Sequence, residues 1–193
     1  MKFLISILEK LGIIPQMEAA KNQPCYDKYG RFLGWYSRSV AVAIFTFCKG
    51  EDGRWYVLAS KRGKEAADFQ GYWNSTCGYL DYGETAKEAA MRETLEETGV
   101  NLKEQGEEKS IKFVGYEDTP TANRQNITLR FCCFITDKQI SDFVFSREGN
   151  EGEEVEEIKW VSIEDIDNYS WAFNHDNRIK EIFKKFVPKQ KKS

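Results

Sequence analysis

A run of closely spaced carboxylates lies in the middle of the chain, between Gly78 and Val100. Three of them project from one side of a helix, because Glu96 and Glu97 follow Glu93 by three and four positions. Like charges at this spacing destabilise a helix, and the negative end of the helix dipole adds to that cost. Mg²⁺ binds carboxylate oxygens, keeps several waters and is often shared with substrate phosphates. The cluster therefore predicts a site for a hard divalent cation.

The same stretch carries the signals that begin and end a helix. Thr85 and Glu88 have the spacing of a capping box, which predicts that a helix starts here. Gly99 suits the left-handed residue that ends a helix, and the residues between contain good helix formers and no Gly or Pro. The three carboxylates are therefore expected near the C-terminal end of this helix.

The stretch also matches the Nudix box, so the chain resembles the Nudix hydrolase family. The pattern is Gly78, five residues, Glu84, seven residues, and then Arg92-Glu93-Thr94-Leu95-Glu96-Glu97-Thr98-Gly99-Val100. Every fixed position is filled. Thr94 stands where the family usually has an aliphatic residue, and we expect it to face the sheet and to alter only packing. A charge run alone usually marks a solvated helix face, but seven fixed positions at set spacing are specific.

The resemblance implies an α/β fold, a sandwich of helices on both sides of a mixed β-sheet. It also implies Mg²⁺ or Mn²⁺ as cofactor and hydrolysis of a nucleoside diphosphate linked to another group. Arg92 is expected to hold a carboxylate of the box through a bidentate pair. The metal ligands that the resemblance implies are the side chains of Glu93, Glu96 and Glu97, with assistance from Glu84 and from the backbone carbonyl of Gly78.

Two positions remain open for the general base, and two arginines are candidate phosphate contacts. Glu93 neighbours the implied metal ligands, whereas Glu154, or Glu153 beside it, precedes a predicted strand in an acidic loop of the kind that supplies the base in parts of the family. Arg62 precedes the loop that leads into the box. Arg130 lies in a predicted strand among apolar neighbours, and a position at an exposed sheet edge is the second interpretation of it.

The rest of the chain predicts the elements that position these residues. Residues 38–48 are apolar on both faces of a strand, which is typical of a central strand covered by helices. His175 is the only histidine and is predicted to be structural. A Ser-His-Asp or Cys-His mechanism, which needs a catalytic histidine, is therefore not expected. Further predicted elements are a hairpin at 26–34, strands at 55–60, 111–116, 127–136 and 155–161, a short helix at 163–168, and a final helix through 187, capped by Asn174.

Length and composition bound the organisation of the chain. With 193 residues, of which 41% are hydrophobic, we expect an N-terminal amphipathic extension at 1–25, one domain at 26–188 and a basic tail at 189–193. The apolar run from Met1 to Ile14 is too short to span a bilayer and lacks a signal-peptide cleavage site. It predicts a helix packed on its own domain or on a partner in a homodimer, in preference to contact with a membrane.

The net charge and the cysteine content limit which binding partners and which cellular compartment are expected. The formal net charge of −3 provides no overall basic footprint for nucleic acid. The five cysteines are odd in number and lack CxxC spacing, which favours reduced thiols in the cytoplasm over disulfides or a zinc site. The resemblance implies a small-molecule nucleotide as the partner, and the net charge gives no reason to expect nucleic acid.

The resemblance to the Nudix family thus implies a metal-dependent pyrophosphohydrolase, with ADP-ribose or a similar ADP-linked compound as the first expectation. ADP-ribose hydrolases of the family often carry a proline about sixteen residues beyond the box; Tyr116 stands there and resembles the dinucleoside polyphosphate branch. The aromatic residues that could stack on a base are Trp35, Tyr36, Phe69 and Tyr72.

Three further hypotheses are a nucleoside triphosphate hydrolase, a non-catalytic ligand sensor and an isopentenyl-diphosphate isomerase-like enzyme. A sensor usually has a damaged box, and this box is intact. The residues Asp27, Gly30, Gly34 and Arg38 resemble the isomerase branch of the family. Isomerisation requires a histidine-rich metal cage, however, which His175 alone cannot supply.

Overall fold

The structure is a computed structural model that describes residues 23–120, 125–146 and 154–188. The N-terminal apolar run, Glu153 and the basic tail lie outside these residues, so the predictions made for them stay predictions. The chain divides into two compact units, Met1–Ser39 with Thr119–Asn126, and Val40–Asp118 with Ile127–Ser193.

The first unit contains a β-hairpin formed by β1 (Gln23–Tyr26) and β2 (Phe32–Tyr36), as the sequence predicted. Its turn is held by Asp27, whose carboxylate accepts hydrogen bonds from the backbone N–H groups of Tyr29 and Arg31 at 2.8 and 2.9 Å. Gly30 has φ of 78°, a left-handed conformation that glycine adopts without steric cost. Asp27 and Gly30, which resemble the isomerase branch, therefore have a structural role in this turn.

The second unit is built on a seven-stranded mixed sheet, in which the strand order is β5-β4-β3-β8-β7. β3 pairs with β8 in parallel and with β4 and β6 in antiparallel orientation, and β9 adds to β4. The strands of this sheet are β3 (Val40–Lys49), β4 (Trp55–Arg62), β5 (Trp73–Asn74), β6 (Cys77–Tyr79), β7 (Ile111–Glu117), β8 (Ile127–Gln139) and β9 (Val155–Ser162).

Two α-helices cover opposite faces of this sheet. On one face α1 (Ala86–Thr98) packs Ala89 and Ala90 against Val42 and Ile44 of β3. On the other face α2 (His175–Phe186) packs against a second apolar cluster that includes Phe45. Short 3-10 turns lie at Glu107–Lys109, Ile140–Asp142, Ile163–Asn168 and Ala172–Asn174. The predicted α/β/α sandwich around a mixed sheet is confirmed.

Adjacent residues of β8 point to the two opposite faces of the sheet. Cys133 belongs to the cluster under α1 and Cys132 to the cluster under α2, as expected for neighbours on a strand. β8 lies between β3 and β7, so Arg130 is not at an exposed edge, and that interpretation of it is wrong.

The ends of α1 follow the local sequence. Thr85 and Glu88 form the reciprocal capping box, with the N–H of Thr85 donating to the Glu88 carboxylate at 2.8 Å and the N–H of Glu88 donating to the Thr85 hydroxyl at 3.3 Å. Gly99 ends the helix with φ of 75°, and its N–H donates to the carbonyl of Leu95 at 2.8 Å. Thr94 is fully buried. Each of these positions agrees with the sequence prediction.

The start of α2 differs from the prediction. Asn174 precedes the helix but adopts a left-handed conformation, with φ of 61°, and makes no side-chain cap. A side-chain cap requires an extended backbone at that position, so the predicted capping role of Asn174 is wrong. Its side-chain carbonyl accepts a hydrogen bond from the Asn177 amide at 2.5 Å instead.

None of the helices in the described ranges has the length and apolar character required to cross a membrane.

Two buried threonines of α1 give a matched test of its packing. The Thr94 hydroxyl only donates to the carbonyl of Ala90, at 2.7 Å, whereas the Thr98 hydroxyl donates to the Thr94 carbonyl and accepts from the N–H of Val100 at 3.2 Å. We expect Thr94→Val to change the free energy of unfolding by less than about 1 kcal/mol, because no donor loses its acceptor. Thr98→Val should cost about 1–3 kcal/mol, because it leaves a buried N–H unpaired. Urea denaturation measures both, and equal losses would contradict this interpretation.

Candidate active site

The most buried carboxylate of the box is Glu97, whose residue surface is only 7% exposed. One carboxylate oxygen is 2.9 Å from the hydroxyl of Ser60 on β4, and the other accepts a hydrogen bond from the backbone N–H of Cys77 on β6 at 3.2 Å. The Ser60 hydroxyl is also 3.2 Å from the side-chain carbonyl of Asn74. A hydroxyl has one hydrogen, so Ser60 donates to Glu97 when that carboxylate is ionised and to Asn74 when Glu97 is protonated.

The surroundings of Glu97 favour its neutral form. Burial raises the pKa of this carboxyl group to about 8, and repulsion by Glu93 acts in the same direction. The hydrogen bonds from Cys77 and Ser60, and the positive charge of Arg62, oppose this shift only in part. Glu97 therefore needs a cation nearby if it is to be ionised at neutral pH.

Glu93 lies directly against the backbone of Gly78. A Cβ atom added at Gly78 would overlap the carboxylate of Glu93, so no residue with a side chain fits without displacing it. Gly78 pairs with Val42 across β6 and β3, which fixes its backbone in the sheet. The glycine at the start of the box is thus required by the close approach of a carboxylate.

Arg92 links three carboxylates of the box. Its Nε and Nη2 donate to the two oxygens of Glu84 at 3.1 and 2.8 Å, which is the bidentate pair. Its Nη1 lies 2.8 Å from both Glu93 and Glu96. The pKa of Glu84 is lowered, chiefly by this hydrogen bond to Arg92. Arg92 therefore supplies the counter-charge of the cluster, and its bidentate pair with Glu84 is the kind of contact that the sequence analysis expected.

The oxygens of Glu84 are committed to supporting contacts. Besides both contacts with Arg92, the carboxylate accepts a hydrogen bond from the N–H of Asp81 at 2.8 Å. Glu84 therefore positions Arg92 and the turn before α1 in this arrangement. Its assistance to a metal stays a prediction.

The donor set fits a hard divalent cation, because carboxylate oxygens are its preferred ligands. Within the described ranges, no three His, Cys, Asp or Glu side chains surround a common point. The reason is visible: Glu97 faces Ser60 and Cys77, while Arg92 occupies Glu93 and Glu96. Mg²⁺ prefers carboxylate oxygens as ligands. The box offers three carboxylates that repel each other, and one of them, Glu97, is buried. A cation here would take over the charge neutralisation that Arg92 now provides to Glu93 and Glu96.

The two predicted phosphate-binding arginines have different locations. Arg62 is two residues beyond Ser60 on β4, and its guanidinium donates to the backbone carbonyl and the carboxylate of Asp68, both at 2.8 Å. Arg130 projects from the face of β8 that α2 covers, where it shares the carboxylate of Glu117 with Arg178 at 2.7 and 3.0 Å. The structure thus brings Arg62 towards the carboxylates and places Arg130 on the face opposite α1.

Glu154 is near the same end of β4 through its backbone. Its carbonyl accepts a hydrogen bond from the N–H of Gly63 at 2.6 Å, and its side chain is exposed. Because Gly63 is three residues beyond Ser60, this contact lies roughly 10 Å along the strand from the residue that binds Glu97. The neighbouring candidate Glu153 lies outside the described residues.

Supporting residues that the sequence did not reveal come from distant parts of the chain. His175 is buried, and its Nδ1 accepts a hydrogen bond from the backbone N–H of Ser75 at 3.0 Å. Ser75 lies between Asn74 and Cys77, which belong to the hydrogen-bond network of Glu97. The predicted structural role of His175 agrees with this contact. Its only sequence signal was that it is the single histidine.

The fold and this constellation of residues define a Nudix domain. A sequence model of the NUDIX domain matches residues 37–186, and the chain belongs to this family. The family assignment also confirms the predicted enzyme class, a hydrolase. The match lies within the domain predicted at 26–188, whose boundaries stay predictions. Comparison with curated proteins gives no match.

Solved structures share the fold at low sequence identity. The NUDIX domain of Shewanella oneidensis NrtR, complexed with ADP ribose, is 17% identical with a TM-score of 0.62, over 84% of this chain and 94% of that one. A MutT/nudix family protein from Enterococcus faecalis is 18% identical with a TM-score of 0.63, over 98% and 71%. A C. elegans Ap4A hydrolase binary complex is 16% identical with a TM-score of 0.54, over 77% and 97%.

The raised pKa of Glu97 predicts how the stability of the metal-free protein depends on pH. The unfolded carboxyl group loses its proton near pH 4.5 and the folded one near pH 8, so the free energy of unfolding should fall as pH rises through this window. Glu97→Gln removes the titration and can keep both contacts, with its amide donating to Ser60. At pH 8.5 in EDTA, the variant should be more stable than wild type by on the order of a few kcal/mol.

Urea denaturation at pH 5, 7 and 8.5 measures this difference. Mg²⁺ should restore the stability of wild type at high pH and leave the variant unchanged. Parallel pH profiles for wild type and variant would show that Glu97 is not the titrating group.

Proposed function

We propose that this protein is a metal-dependent pyrophosphohydrolase that cleaves a nucleoside diphosphate linked to another group, with an ADP-ribose-like compound as substrate. The observation that carries the proposal is the set of three carboxylates on one side of α1: Glu93 lies against the backbone of Gly78, Glu93 and Glu96 pair with Arg92, and Glu97 is buried. A site that serves only to stabilise the fold would not bury an uncompensated carboxylate such as Glu97.

In this proposal Glu93, Glu96 and Glu97 hold Mg²⁺ or Mn²⁺, and the Gly78 carbonyl and Glu84 assist. When bound, the cation supplies positive charge that screens the diphosphate and lowers the pKa of the attacking water. Arg92 would keep its bidentate pair with Glu84 if Glu93 and Glu96 held the cation, because that pair uses other nitrogens of the guanidinium than Glu93 and Glu96 do. Ser60 and the N–H of Cys77 orient the ionised Glu97.

The proton of the attacking water goes to Glu93 or Glu154 in this mechanism. Glu93 is supported by its place within the carboxylate cluster. Glu154 is supported by its attachment to Gly63, which leaves an exposed carboxylate near the end of β4.

The substrate assignment rests on the nucleotide ligands of the structural neighbours and on the sequence. One neighbour was solved with ADP ribose and another is an Ap4A hydrolase. ADP-ribose and dinucleoside polyphosphates are therefore both candidate substrates of this chain. Tyr116, which resembles the dinucleoside polyphosphate branch, is exposed on β7. A cytoplasmic location, supported by the free cysteines of the described ranges, completes the proposal. The predicted homodimer stays a prediction.

Product analysis tests the reaction directly. With Mg²⁺ or Mn²⁺, ADP-ribose should give AMP and ribose 5-phosphate, and Glu97→Gln should lower kcat at least about 100-fold because charge neutralisation is the main catalytic task. Diadenosine polyphosphates and nucleoside triphosphates are assayed in parallel by chromatography. If kcat/KM for dinucleoside polyphosphates exceeds that for ADP-ribose by more than about tenfold, roughly 1.4 kcal/mol, the ADP-ribose assignment is wrong. Binding without turnover of any nucleotide would contradict the whole proposal and favour a sensor.

A pair of variants distinguishes the two candidate bases. If Glu154 takes the proton, Glu154→Gln should lower kcat about 100-fold or more and abolish the acidic limb of the pH–rate profile. Glu157→Gln, a nearby exposed carboxylate of β9 paired with Lys159, is the control and should retain activity. Wild-type rate and pH profile in Glu154→Gln would remove Glu154 from the mechanism and leave Glu93 and Glu153.

A further inference from the structure

The outer edge of β7 has no strand partner among the described residues. β7 stands at one end of the strand order β5-β4-β3-β8-β7 and pairs with β8 on its inner side. An edge strand presents backbone N–H and C=O groups to which a further strand can bind. Such an edge is either protected against association or used for it, and the side chains of β7 distinguish the two.

A β-bulge changes the direction of the side chains midway along β7. Phe113 pairs with Phe131 of β8, whereas Gly115 pairs with Arg130, so Val114 is the extra residue of the bulge. Gly115 has φ of 139°, in the range that favours glycine. The residues before and after the bulge therefore follow the alternation of the strand in different phases.

The bulge brings two exposed aromatic residues to the same face of β7. Phe113 and Tyr116 pair with Phe131 and Leu129 of β8, and paired residues of antiparallel strands point to the same side. Phe131 and Leu129 both pack into the apolar cluster under α1. Phe113 and Tyr116 are nevertheless 56% and 61% exposed. These successive side chains form an apolar patch along the sheet edge, which is typical of an interaction surface.

The opposite face of β7 carries one cation and one anion. Lys112 pairs with Cys132, which packs into the cluster under α2. Glu117 accepts a hydrogen bond from Arg178 of α2 at 3.0 Å. Lys112 and Glu117 therefore both point to the face that α2 covers, and in sequence they flank the two aromatic residues. Lys112 is exposed and Glu117 is partly exposed.

This arrangement makes β7 complementary to a second copy of itself. In an antiparallel pair with a two-fold axis at the centre of the strand, Phe113 lies opposite the partner's Tyr116. In the same register Lys112 lies opposite the partner's Glu117. Each pair joins residues that point to the same face, as antiparallel pairing requires. Without the bulge, positions 113 and 116 would point to opposite faces, and this register would not match.

Lysines and bulges at a sheet edge often prevent association, so their presence in β7 needs a separate account. An arbitrary strand that paired with β7 would take water from the Lys112 ammonium group without providing a counter-charge, which is unfavourable. A second β7 provides that counter-charge through Glu117. The edge is therefore protected against unrelated strands and suited to its own copy.

We propose that β7 is an association surface that binds β7 of a second copy of this chain, antiparallel and in the register given above. The two sheets then join into one, with an aromatic pair and an ion pair on each side of the two-fold axis. One pair of strands is a small interface, so the dimer should dissociate at micromolar concentrations. The inference uses none of the carboxylates of α1 and is independent of the proposed reaction.

Sedimentation equilibrium of the full chain tests the proposal between about 1 and 500 µM, where wild type should change from monomer to dimer. Lys112→Glu places two carboxylates opposite each other, and Phe113→Gln removes one ring from each aromatic pair. Each should weaken dimerisation at least about tenfold, because each substitution occurs twice in the interface. A wild-type chain that stays monomeric throughout this range would overturn the proposal.

Two control variants show whether any loss is specific to β7. Lys109→Glu makes the same charge change at an exposed position before the strand, and Tyr82→Gln removes an exposed ring from the turn before α1. Both should dimerise like wild type. If either control weakens the dimer as much as Lys112→Glu and Phe113→Gln do, general charge or hydrophobicity drives association and the proposal is wrong.

Carbodiimide coupling tests the register in the wild-type protein, because it joins an ammonium group to a carboxylate in contact with it. In a mixture of ¹⁴N- and ¹⁵N-labelled chains, mass spectrometry should find Lys112 of one chain joined to Glu117 of the other. Within one chain these residues are roughly 16 Å apart along the strand, too far for direct coupling. A dimer whose cross-links between chains all lie outside β7 would contradict the assignment of this surface.

Discussion

Repulsion among the carboxylates of α1 is the constraint on which the rest of the structure depends. Glu93, Glu96 and Glu97 lie within two turns of one helix, near its negative end, where each makes the others harder to ionise. The positive charge of Arg92 offsets this repulsion at Glu93 and Glu96, and the carboxylate of Glu84 holds Arg92 in place. Removing either partner would leave charge without compensation at a half-buried position.

Glu97 is stabilised differently from Glu93 and Glu96, because its hydrogen-bond donors are neutral groups of the sheet. Ser60 and the N–H of Cys77 bind its oxygens, and the pKa of the carboxyl group stays raised because dipoles only partly replace water. A stable fold alone would favour glutamine at this position. The ionisable group is retained at a cost in stability, which is common where a site must bind a ligand.

The sequence predicted those features that depend on neighbours along the chain. The Thr85 capping box and the Gly99 terminus follow from spacing alone, and the two apolar faces of β3 follow from its alternation of side chains. Contacts between distant segments could not be predicted: Ser60 and Glu97 are 37 positions apart, and His175 is 100 positions from Ser75. The errors have the same origin, since Asn174 and Arg130 were interpreted without the backbone conformation and the strand order that surround them.

The parallel pairing of β3 with β8 has a consequence for folding kinetics. Local hydrogen bonds can form α1 quickly, whereas β3 and β8 must close a loop that contains α1 and β7, and such non-local pairing is slow. During synthesis the segment of α1, with its carboxylates, is therefore complete before β8 can pair with β3. His175, near the C-terminal end of the chain, reaches Ser75 later still. The candidate site therefore gains its contact between Ser75 and His175 only after the C-terminal helix has been synthesised.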